Sequence, residues 1–407
     1  MKILLFSQHF YPEVVGTARR AIEVTEDLIN YGHDVTVIAG IPNHPSTLMT
    51  HRISKNVKKE ERLFGAQVIR VITYTSTNCG TMHRSLTYGT FMLSALLQGI
   101  LKKQNIDVIV AISPLPTGIA GAFTSFMRRI PFIFDLQDIW PEAIMSVRAI
   151  SNKSIISFLE IAEKKVYQQA QTIITISDGF KRDIVSRGVP QEKVTVIYNG
   201  VDVELFQERD ATPIRNQYRW DNKFIVSYIG NIGLAQDLDT VIKTAEMLKS
   251  FPEILFLFVG EGVAKEKLLL KAREMNLKNV VFQGFQPREQ IPMFLSAADV
   301  CLVPLIESKV FGITIPSKTY ECMAVGRPII TNIRGDVREL IESSNCGIYV
   351  EPGQLEQLKE AIFRLYQDRN LCKTLGRNGR QRVLRDFSRQ QIAAKYNSVL
   401  EEVAKYK

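Results

Sequence analysis

Hydrophobic and polar positions repeat one pattern along almost the whole chain. Short apolar runs, such as 2–7, 106–113 and 224–230, are each followed by a polar loop. After the loop, apolar residues recur at helical spacing, as at 18–31 and 264–275. Continuous apolar runs are typical of strands buried on both faces of a parallel sheet, and their alternation with helices predicts a doubly wound α/β fold.

The pattern divides the chain into two halves of similar length. The first half predicts strands at 2–7, 34–40, 67–74, 106–113, 131–136, 171–176 and 193–202. The second half predicts strands at 224–230, 253–260, 279–285 and 299–305, and a last helix at about 388–405 with Ser388 as its cap. Residues 41–64 are polar, basic and without periodicity, so we expect a loop there. Because Asn199-Gly200 is a turn signal, we place the domain boundary just after it.

The size of the chain agrees with this division, because 407 residues exceed one ordinary hydrophobic core. With 45% apolar and 23% charged residues, the chain is predicted to be globular. We expect an N-terminal domain at 1–202, a second domain at 203–386 and a terminal helix at 387–407.

Charge and cysteine content narrow the classes of function. The formal net charge is +9, mostly in the first 200 residues, which suits an anionic substrate or membrane surface. The sequence contains no basic tail or nucleic-acid motif, so we expect no nucleic-acid partner. No apolar run is long enough to cross a bilayer, and MKILLFSQHF predicts a first strand and not a signal peptide. The five cysteines include no C-x-x-C pair, which favours a reducing compartment and no structural zinc.

The stretch 311–328 carries the clearest chemical pattern. Pro316 suits the first position of a helix, and Ser317, Lys318 and Glu321 share one edge of it. Free N–H groups, a cation and a carboxylate together fit a nucleotide diphosphate, with the carboxylate accepting hydrogen bonds from a sugar diol. An ordinary helix start with a surface Lys–Glu pair explains the same residues, and the stretch alone does not decide between the two.

Two further groups of polar residues follow predicted strands in the first half. Gly16 and Thr17 precede the first helix and could present N–H groups to a phosphate or sugar, although a plain strand-to-helix turn explains them equally well. QDIWPE follows a buried strand, at the carboxyl end where α/β proteins bind ligands. Asp138 and Glu142 are therefore candidates for holding an acceptor hydroxyl, with a helix cap as the alternative role of Asp138.

Several motifs have a familiar order and spacing: YPEVVGTARR, DIWPE, TISDGF, VIYNGVD, YIGNIGLAQDLD, FVGEG, AADVCLVPL and PSKTYECMAVGRPII. Together, and nearly end to end, they resemble family 4 glycosyltransferases of the GT-B fold, in particular the branch that assembles bacterial surface polysaccharides. The resemblance implies two Rossmann-like domains facing each other across a cleft and a C-terminal helix that crosses back to the first domain. It also implies that the second domain binds a nucleotide-sugar donor and the first domain the acceptor.

The resemblance further implies a retaining transfer with a nucleotide-sugar co-substrate, expected to be UDP-linked, and with no metal or other cofactor. The predicted catalytic residues are Asp138, Lys318 and Glu321. The predicted donor-binding residues are Gly16, Thr17, Asn231, Gln236, Gly284, Phe285, Gly312, Ile313, Thr314 and Ser317. The residues predicted on the acceptor side are Gln137 and Glu142.

The sequence departs from the family pattern at three places. Ile313 stands where the first of two acids is common, so only the neighbouring backbone N–H groups could replace that acid. The usual Arg and Lys are missing from NIGLAQD, and Lys318 could supply part of their charge. Gln137 replaces a common His and, unlike His, cannot gain a proton at neutral pH. Asp138 is therefore the more plausible polar partner.

We expect a hexosyl- or N-acetylhexosaminyltransferase that acts on a saccharide or lipid-linked acceptor. Because a diphosphate is already a good leaving group, catalysis needs positioning and stabilisation of negative charge. No carboxylate pair indicates a covalent glycosyl-enzyme, and front-face transfer is taken from the resemblance. A nucleotide-sugar epimerase or sugar-phosphate synthase of the same fold is an alternative. A catalytically weakened binding protein is another, because of Ile313.

Two apolar segments of the first half end in basic residues, FMLSALLQGILKK (91–103) and FTSFMRRI (123–130). A nearby basic loop contains Arg52, Lys55, Lys58, Lys59 and Arg62. Each basic residue near an anionic bilayer contributes about 1 kcal/mol, so several would hold the protein reversibly. We therefore expect a cytoplasmic protein that binds the inner face of the membrane peripherally, with packing of 91–101 on the sheet as the alternative.

Overall fold

The computed structural model describes residues 1–13, 15–42, 60–75, 81–140 and 152–406. The chain forms two compact units, the first comprising Met1–Tyr198 with Ala393–Lys407 and the second Asn199–Ile392. Each unit is a Rossmann-like α/β domain built on a parallel sheet, so the predicted fold class is confirmed.

Among the described residues, eight strands form the sheet of the first unit, in the order β3-β4-β2-β1-β5-β6-β7-β8. They are β1 (Lys2–Ser7), β2 (Asp34–Gly40), β3 (Glu60–Leu63), β4 (Ala66–Val71), β5 (Val108–Ile112), β6 (Phe132–Leu136), β7 (Thr172–Thr175) and β8 (Val194–Val196). β5 and β6 are buried at every position, as the apolar sequence of β5 predicts, and in β6 the burial includes Asp135.

In the described part of the first unit, the helices between these strands are α1 (Gly16–Asn30), α2 (Thr81–Leu101), α3 (Leu115–Arg128), α4 (Lys153–Gln169) and α5 (Asp178–Ser186). Each helix follows a parallel strand, so its N-terminus lies at the carboxyl edge of the sheet. This places the loops that follow β1, β5 and β6 along the same edge, where doubly wound folds bind ligands.

Part of the loop expected at 41–64 is instead a strand. β3 pairs antiparallel with β4 through a tight turn at Phe64 and Gly65, both with positive φ. Its sequence, EERL, alternates between exposed and half-buried positions at the sheet edge, so no apolar run marks it. The preceding residues, 43–59, lie outside the described ranges, and with them most of the expected basic loop.

Among the described residues of the second unit, six strands form a parallel sheet in the order β11-β10-β9-β12-β13-β14. They are β9 (Phe224–Ile229), β10 (Ile254–Val259), β11 (Val280–Gln283), β12 (Val300–Val303), β13 (Ile329–Thr331) and β14 (Gly347–Tyr349). The helices are α6 (Thr212–Tyr218), α7 (Leu238–Met247), α8 (Lys265–Glu274), α9 (Ile291–Ala297), α10 (Lys309–Gly312), α11 (Ser317–Ala324), α12 (Asp336–Ser344), α13 (Leu355–Gln367) and α14 (Arg369–Asp386).

Two short helices of this unit, α6 and α10, were not expected from the sequence. α10 is a single turn shortly before α11, in a segment without helical periodicity. Pro316 is the N-cap of α11 and not its first helical residue. Both differences concern helix ends, where a few local hydrogen bonds decide the boundary.

The last helix, α15 (Arg389–Ala404), begins in the second unit, and its residues from Ala393 onward group with the first. The Gln391 N–H donates to Ser388 Oγ over 3.4 Å, so Ser388 is the cap that the sequence predicted. Within the first unit, the Arg20 guanidinium lies 5.3 Å from the centre of the Tyr396 ring. None of the described helices combines the length and the apolar character needed to cross a bilayer.

Candidate functional site

Helix α11 begins at the carboxyl edge of the second-unit sheet, after β12. Tyr320, Met323 and Ala324 are buried in the core, whereas Ser317 is exposed and Lys318 and Glu321 are half-buried. None of the side chains that the structure describes caps the N-terminus of this helix. The first turn therefore offers N–H groups and the positive end of the helix dipole to an anion.

Lys318 is held beneath this turn by Tyr228, at the end of β9. The Lys318 ammonium donates a hydrogen bond of 2.7 Å to the Tyr228 hydroxyl and lies 3.9 Å from the centre of its ring. That hydroxyl in turn donates to the Asn231 carbonyl over 2.6 Å. Burial lowers the pKa of Lys318 to about 8, although the nearby Cys322 and Glu321 raise it in part. The structure thus keeps a desolvated cation among neutral hydrogen-bond partners.

Glycines let the neighbouring loops approach this cation closely. Gly230 has a φ of +137°, and a Cβ there would lie 2.9 Å from the Lys318 Nζ. A Cβ on Gly260, after the adjacent strand β10, would lie only 2.0 Å from the Gly230 carbonyl oxygen. The two turns therefore pack backbone against backbone, which only glycine permits.

The loop after β9 carries two predicted donor-binding residues, Asn231 and Gln236. Their side-chain amides lie against Gly233, where a Cβ would be 2.6 Å from Gln236 Oε1 and 2.8 Å from Asn231 Nδ2. Among the described residues, no hydrogen-bond partner reaches the buried Oε1 of Gln236. Asp237 ties this loop to its neighbours, because its carboxylate accepts from Asn332 over 2.9 Å. This contact was not predicted from the sequence, since it joins residues 95 positions apart.

The remaining predicted residues of this unit lie on adjacent loops. Phe285, next to Gly284 after β11, is 71% exposed. The Gly312 N–H donates to the Ser308 carbonyl and the Thr314 N–H to the Phe311 carbonyl, over 3.1 and 3.3 Å. Both N–H groups are therefore engaged in turns of the α10 segment in this structure.

Ile313 lies between these two turns as the C-cap of α10 and is half-buried. The structure therefore places its backbone at the carboxyl edge of the sheet, as expected from the sequence. Whether its N–H group contacts a sugar stays a prediction.

In the first unit, Asp138 and Gln137 follow β6 at the carboxyl edge. The Asp138 Oδ2 accepts a hydrogen bond of 3.0 Å from the Trp140 indole, and burial raises the pKa of Asp138. The Trp140 and Ser113 hydrogen bonds and the nearby His9 offset this shift only in part. The Gln137 amide instead donates to the buried Asp135 carboxylate, which gives it a structural contact. A protonatable carboxyl group in a desolvated position can exchange a proton with a bound hydroxyl.

Gly16 is the first residue of α1. The N-cap residue, Val15, makes no side-chain hydrogen bond to the N–H groups of the first turn. His9, in the preceding loop, hydrogen-bonds Glu13 over 2.7 Å and lies close enough to Asp138 to influence its charge. This pair was not predicted, although a His and a Glu four positions apart after the first strand are visible in the sequence. Glu142 lies outside the described residues.

The structure thus gathers most predicted donor-binding residues at one sheet edge of the second unit. Gly16, Thr17, Gln137 and Asp138 lie at the corresponding edge of the first unit. No cluster of His, Cys, Asp and Glu side chains among the described residues is suited to hold a metal ion.

Two Rossmann-like units, one with a helix start beside a lysine and a glutamate, are the architecture of GT-B glycosyltransferases. Comparison with known families agrees: the family described as Glycosyltransferase Family 4 matches residues 14–205, and Glycosyl transferases group 1 matches residues 210–382. The chain therefore belongs to the family 4, group 1 glycosyltransferases, and the predicted enzyme class is confirmed.

Named relatives align along the whole chain. WcaI of Escherichia coli K12, a putative glycosyl transferase of colanic acid biosynthesis by its name, is 27% identical, and the match covers 95% of this chain and 98% of WcaI. AmsK of Erwinia amylovora, an amylovoran biosynthesis glycosyltransferase, is 21% identical, with 99% and 100% covered. The resemblance to surface-polysaccharide glycosyltransferases is thus confirmed.

Solved structures share the fold at lower identity. Sucrose-phosphate synthase of Thermosynechococcus elongatus has a TM-score of 0.78 at 20% identity, and the match covers 100% of both chains. HepE of Anabaena, solved with UDP, has a TM-score of 0.75 at 18% identity, and the match covers 99% of this chain and 100% of HepE. HepE has also been solved with UDP-glucose.

Proposed function

We propose that the protein transfers a sugar from a UDP-sugar to a saccharide or lipid-linked acceptor, with retention of configuration and without a metal, in cell-surface polysaccharide biosynthesis. The observation that carries the proposal is the uncapped start of α11 with the Lys318 ammonium beneath it and Glu321 one turn further on. The HepE complexes support the choice of nucleotide, and the named roles of WcaI and AmsK support the choice of process.

The donor site is proposed at the carboxyl edge of the second unit. The N–H groups at the start of α11, the Ser317 hydroxyl and Lys318 bind the diphosphate. Glu321 accepts hydrogen bonds from the ribose hydroxyls. Phe285 stacks on the base with its exposed ring, and Asn231 and Gln236, with Gly284, Gly312, Ile313 and Thr314, complete the donor-binding set.

The chemical step then needs little beyond charge stabilisation. The bond between the anomeric carbon and the diphosphate oxygen breaks, and the acceptor oxygen forms a bond to the same face of that carbon. The acceptor proton passes to an oxygen of the departing diphosphate. Lys318 and the helix dipole stabilise the negative charge that develops on this leaving group.

The acceptor is proposed to bind the first unit. Asp138, whose carboxyl group is buried and has a raised pKa, holds an acceptor hydroxyl. Gln137 orients the adjoining backbone through its contact with Asp135. Gly16 and Thr17, at the start of α1, keep in this proposal the donor-binding role that the sequence predicts. Glu142 belongs to the same proposal by its sequence position.

Calorimetry with three ligands tests the donor site. Lys318→Ala should weaken the binding of UDP and of UDP-sugar alike and leave uridine almost unaffected, because only the first two carry a diphosphate. Lys243→Ala, which removes a surface lysine 47% exposed on α7, is the matched control and should change none of the three. Equal loss of uridine binding would mean that Lys318→Ala disturbs the helix itself.

Incubation with a panel of UDP-sugars separates the candidate reactions. Slow release of UDP, accelerated by an acceptor, indicates transfer, whereas a new UDP-sugar isomer indicates an epimerase. The structural likeness to sucrose-phosphate synthase favours including sugar phosphates as acceptors, since a sugar-phosphate synthase is the other transfer reaction under consideration. Thermal stabilisation by a donor without any turnover would indicate the weakened binding protein.

Peripheral attachment to the inner face of the membrane is proposed for the first unit. On α2, Phe91 and Ala95 are buried against the core, whereas Leu97 and Leu101 are 59% and 72% exposed, so only one side of the helix packs on the sheet. Lys103 and Arg129 lie next to these helix ends and are not buried. Arg128 instead donates to the Gly99 and Gln104 carbonyls and serves the fold.

Sedimentation with liposomes across a salt series tests this attachment. The protein should bind vesicles with anionic lipid at low salt and be released as salt rises. Lys103→Glu with Arg129→Glu should reduce binding, whereas Lys243→Glu in the second unit should not. Equal binding to neutral and anionic vesicles at every salt concentration would contradict an electrostatic attachment.

A further inference from the structure

The first unit contains a large apolar pocket that extends well beyond the proposed acceptor residue Asp138. Its volume is about 960 Å³, and its walls are formed by α2, α3, α4 and the loop after β6. Volumes of about 300–1,000 Å³ are usual for small-molecule sites, so the pocket is at the upper end of that range. The pocket is a cleft that is partly open to solvent, so a ligand can reach it.

The walls of the pocket are aromatic and aliphatic. Phe123 and Phe126 project from α3 and Phe158 from α4, and their side chains are 47%, 66% and 67% exposed. Aromatic side chains usually dominate a buried core, so three rings left open to solvent around one pocket indicate an apolar ligand.

The pocket extends from the candidate acceptor site along the helices. Asp138, Trp140 and Arg84 line it near the carboxyl edge of the sheet, where α2 and α4 begin. Gln169, at the end of α4, lines its other end. From Ile155 to Gln169 the helix rises about 20 Å, at about 1.5 Å per residue. The pocket is therefore long enough for an extended chain and leads directly to the candidate acceptor carboxylate.

Arg84 places a positive charge at the end of the pocket near the carboxyl edge of the sheet, which is its polar end. Arg84, near the start of α2, lies close enough to Tyr88 to lower the pKa of its hydroxyl against the larger effect of burial. α2 also points its N-terminus toward that end, and helix N-termini favour anions. The start of α4 is instead capped by the Asn152 side chain, which accepts from the Ser154 and Ile155 N–H groups. An apolar pocket with a cation and the start of α2 at its mouth complements an anionic amphiphile, whose head group and tail require these two environments.

We propose that this pocket binds the hydrocarbon chain of a lipid phosphate, with the phosphate near Arg84 and the chain running between α3 and α4 toward Gln169. The proposal rests on the proposed function in one respect: it takes this lipid to be the carrier of the acceptor sugar. A sugar attached to the phosphate would then lie beside Asp138. Phe158 lines the pocket near its polar end, and Phe126, near the end of α3, lines the end through which a longer chain reaches the bilayer.

Trp140 provides a direct measure of occupancy. It lines the pocket, and its ring lies edge-on to Tyr88 with centroids 5.3 Å apart. The chain has two tryptophans, so Trp220→Phe in the second unit leaves Trp140 as the only one. Dodecyl phosphate and its brominated analogue, used below their micelle-forming concentrations, then report binding: the brominated chain should quench the Trp140 fluorescence, and inorganic phosphate should not change it.

Chain length and two matched variants test where the chain lies. From octyl to dodecyl phosphate the affinity should rise about fourfold for each methylene buried. In the Trp220→Phe background, Phe158→Glu should lower the affinity at least tenfold, because it puts a charge in the pocket. Ile161→Glu, on the same helix, 59% exposed and outside the pocket, should leave it within twofold. Arg84→Gln should weaken dodecyl phosphate but not dodecanol.

Each result distinguishes binding in the pocket from adsorption to the protein surface. Absence of quenching, or affinity that does not depend on chain length, would overturn the proposal. Equal losses for Phe158→Glu and Ile161→Glu would overturn it as well, because they would indicate adsorption to a general apolar surface. All these measurements use binding alone. Lipid phosphate that binds in the pocket while no UDP-sugar is turned over would refute the proposed transfer and leave the pocket assignment standing.

Discussion

Replacement of Lys318 by methionine should stabilise the second unit while it abolishes tight diphosphate binding. Burial lowers the pKa of Lys318 from 10.5 to about 8. At about 1.36 kcal/mol per pKa unit, keeping this lysine charged costs the folded state about 3 kcal/mol near neutral pH. The variant loses the cation–π contact with Tyr228, about 1–2 kcal/mol for a desolvated pair.

The net stabilisation expected from Lys318→Met is therefore about 1–2 kcal/mol, or an increase of roughly 2–8 °C in the melting temperature for a unit of this size. Methionine has a similar length and no charge, so it can occupy the same space beside the ring. The Tyr228 hydroxyl keeps its 2.6 Å hydrogen bond to the Asn231 carbonyl and is not left unsatisfied. Urea unfolding at pH 7 measures the difference, with Lys243→Met as a control that should shift stability by less than about 1 kcal/mol.

The sign of the pH dependence gives a second, independent test. Lys318 has a lower pKa in the folded than in the unfolded protein, so the unfolded state binds more protons between pH 8 and 10.5. Its penalty is full below pH 8 and disappears as the pH approaches 10.5. The advantage of Lys318→Met over the parent should therefore shrink above about pH 8. A variant less stable than the parent at neutral pH, or an advantage that stays constant into the alkaline range, would refute the reasoning.

Three further substitutions test other parts of the second unit. Glu321→Ala should weaken donor binding by about 1.5–3 kcal/mol; activity within twofold of the parent at subsaturating donor would remove Glu321 from the site. Tyr228→Phe should lower the affinity for UDP about fivefold, the equivalent of one hydrogen bond, and leave uridine unchanged in calorimetry. Gly260→Ala should destabilise the unit by more than about 2 kcal/mol, because its Cβ would lie 2.0 Å from a carbonyl oxygen. Gly353→Ala, at positive φ in open space, should cost only about 1 kcal/mol in urea unfolding, and equal losses would contradict the packing argument.

The fold could be predicted because most of its strands are continuous apolar segments. β5 and β10 are unbroken apolar runs, and such short runs are typical of strands buried on both faces of a sheet. β3 could not be predicted, because EERL is an edge strand whose pairing with β4 depends on a turn two residues long. Short helices such as α6 bury too few residues for periodicity to appear. Elements that depend on local turns, and not on a buried apolar face, are therefore the ones that the sequence does not predict.

At the candidate site, single residues could be predicted but their contacts could not. Lys318 and Glu321 were expected on one helix edge, and the structure places Lys318 against Tyr228, 90 positions earlier in the chain. No sequence signal marks that contact, since Tyr228 looks like one more apolar residue of a buried strand. The hydrogen bond from the Gln137 amide to Asp135, two residues away, was not predicted either, and the acceptor-side role of Gln137 stays a prediction. The contact between Lys318 and Tyr228 exists because the sheet brings distant residues together.

Desolvated charge with neutral partners marks both candidate sites and distinguishes them from structural ion pairs. Arg20 and Asp135 are also buried, but they face each other over 3.1 Å, and the Gln137 amide adds a further hydrogen bond. Lys318 instead contacts a tyrosine hydroxyl and Asp138 a tryptophan indole. Burying these two groups in their charged forms therefore lowers the free energy of unfolding. A diphosphate at Lys318 would supply a countercharge and raise its pKa again, so that the penalty measured in the free protein is returned as binding energy. Burial of Lys318 without a countercharge lowers stability for the same physical reason that it raises the affinity for a diphosphate. Lys318→Met should therefore stabilise the second unit and disable its donor site together.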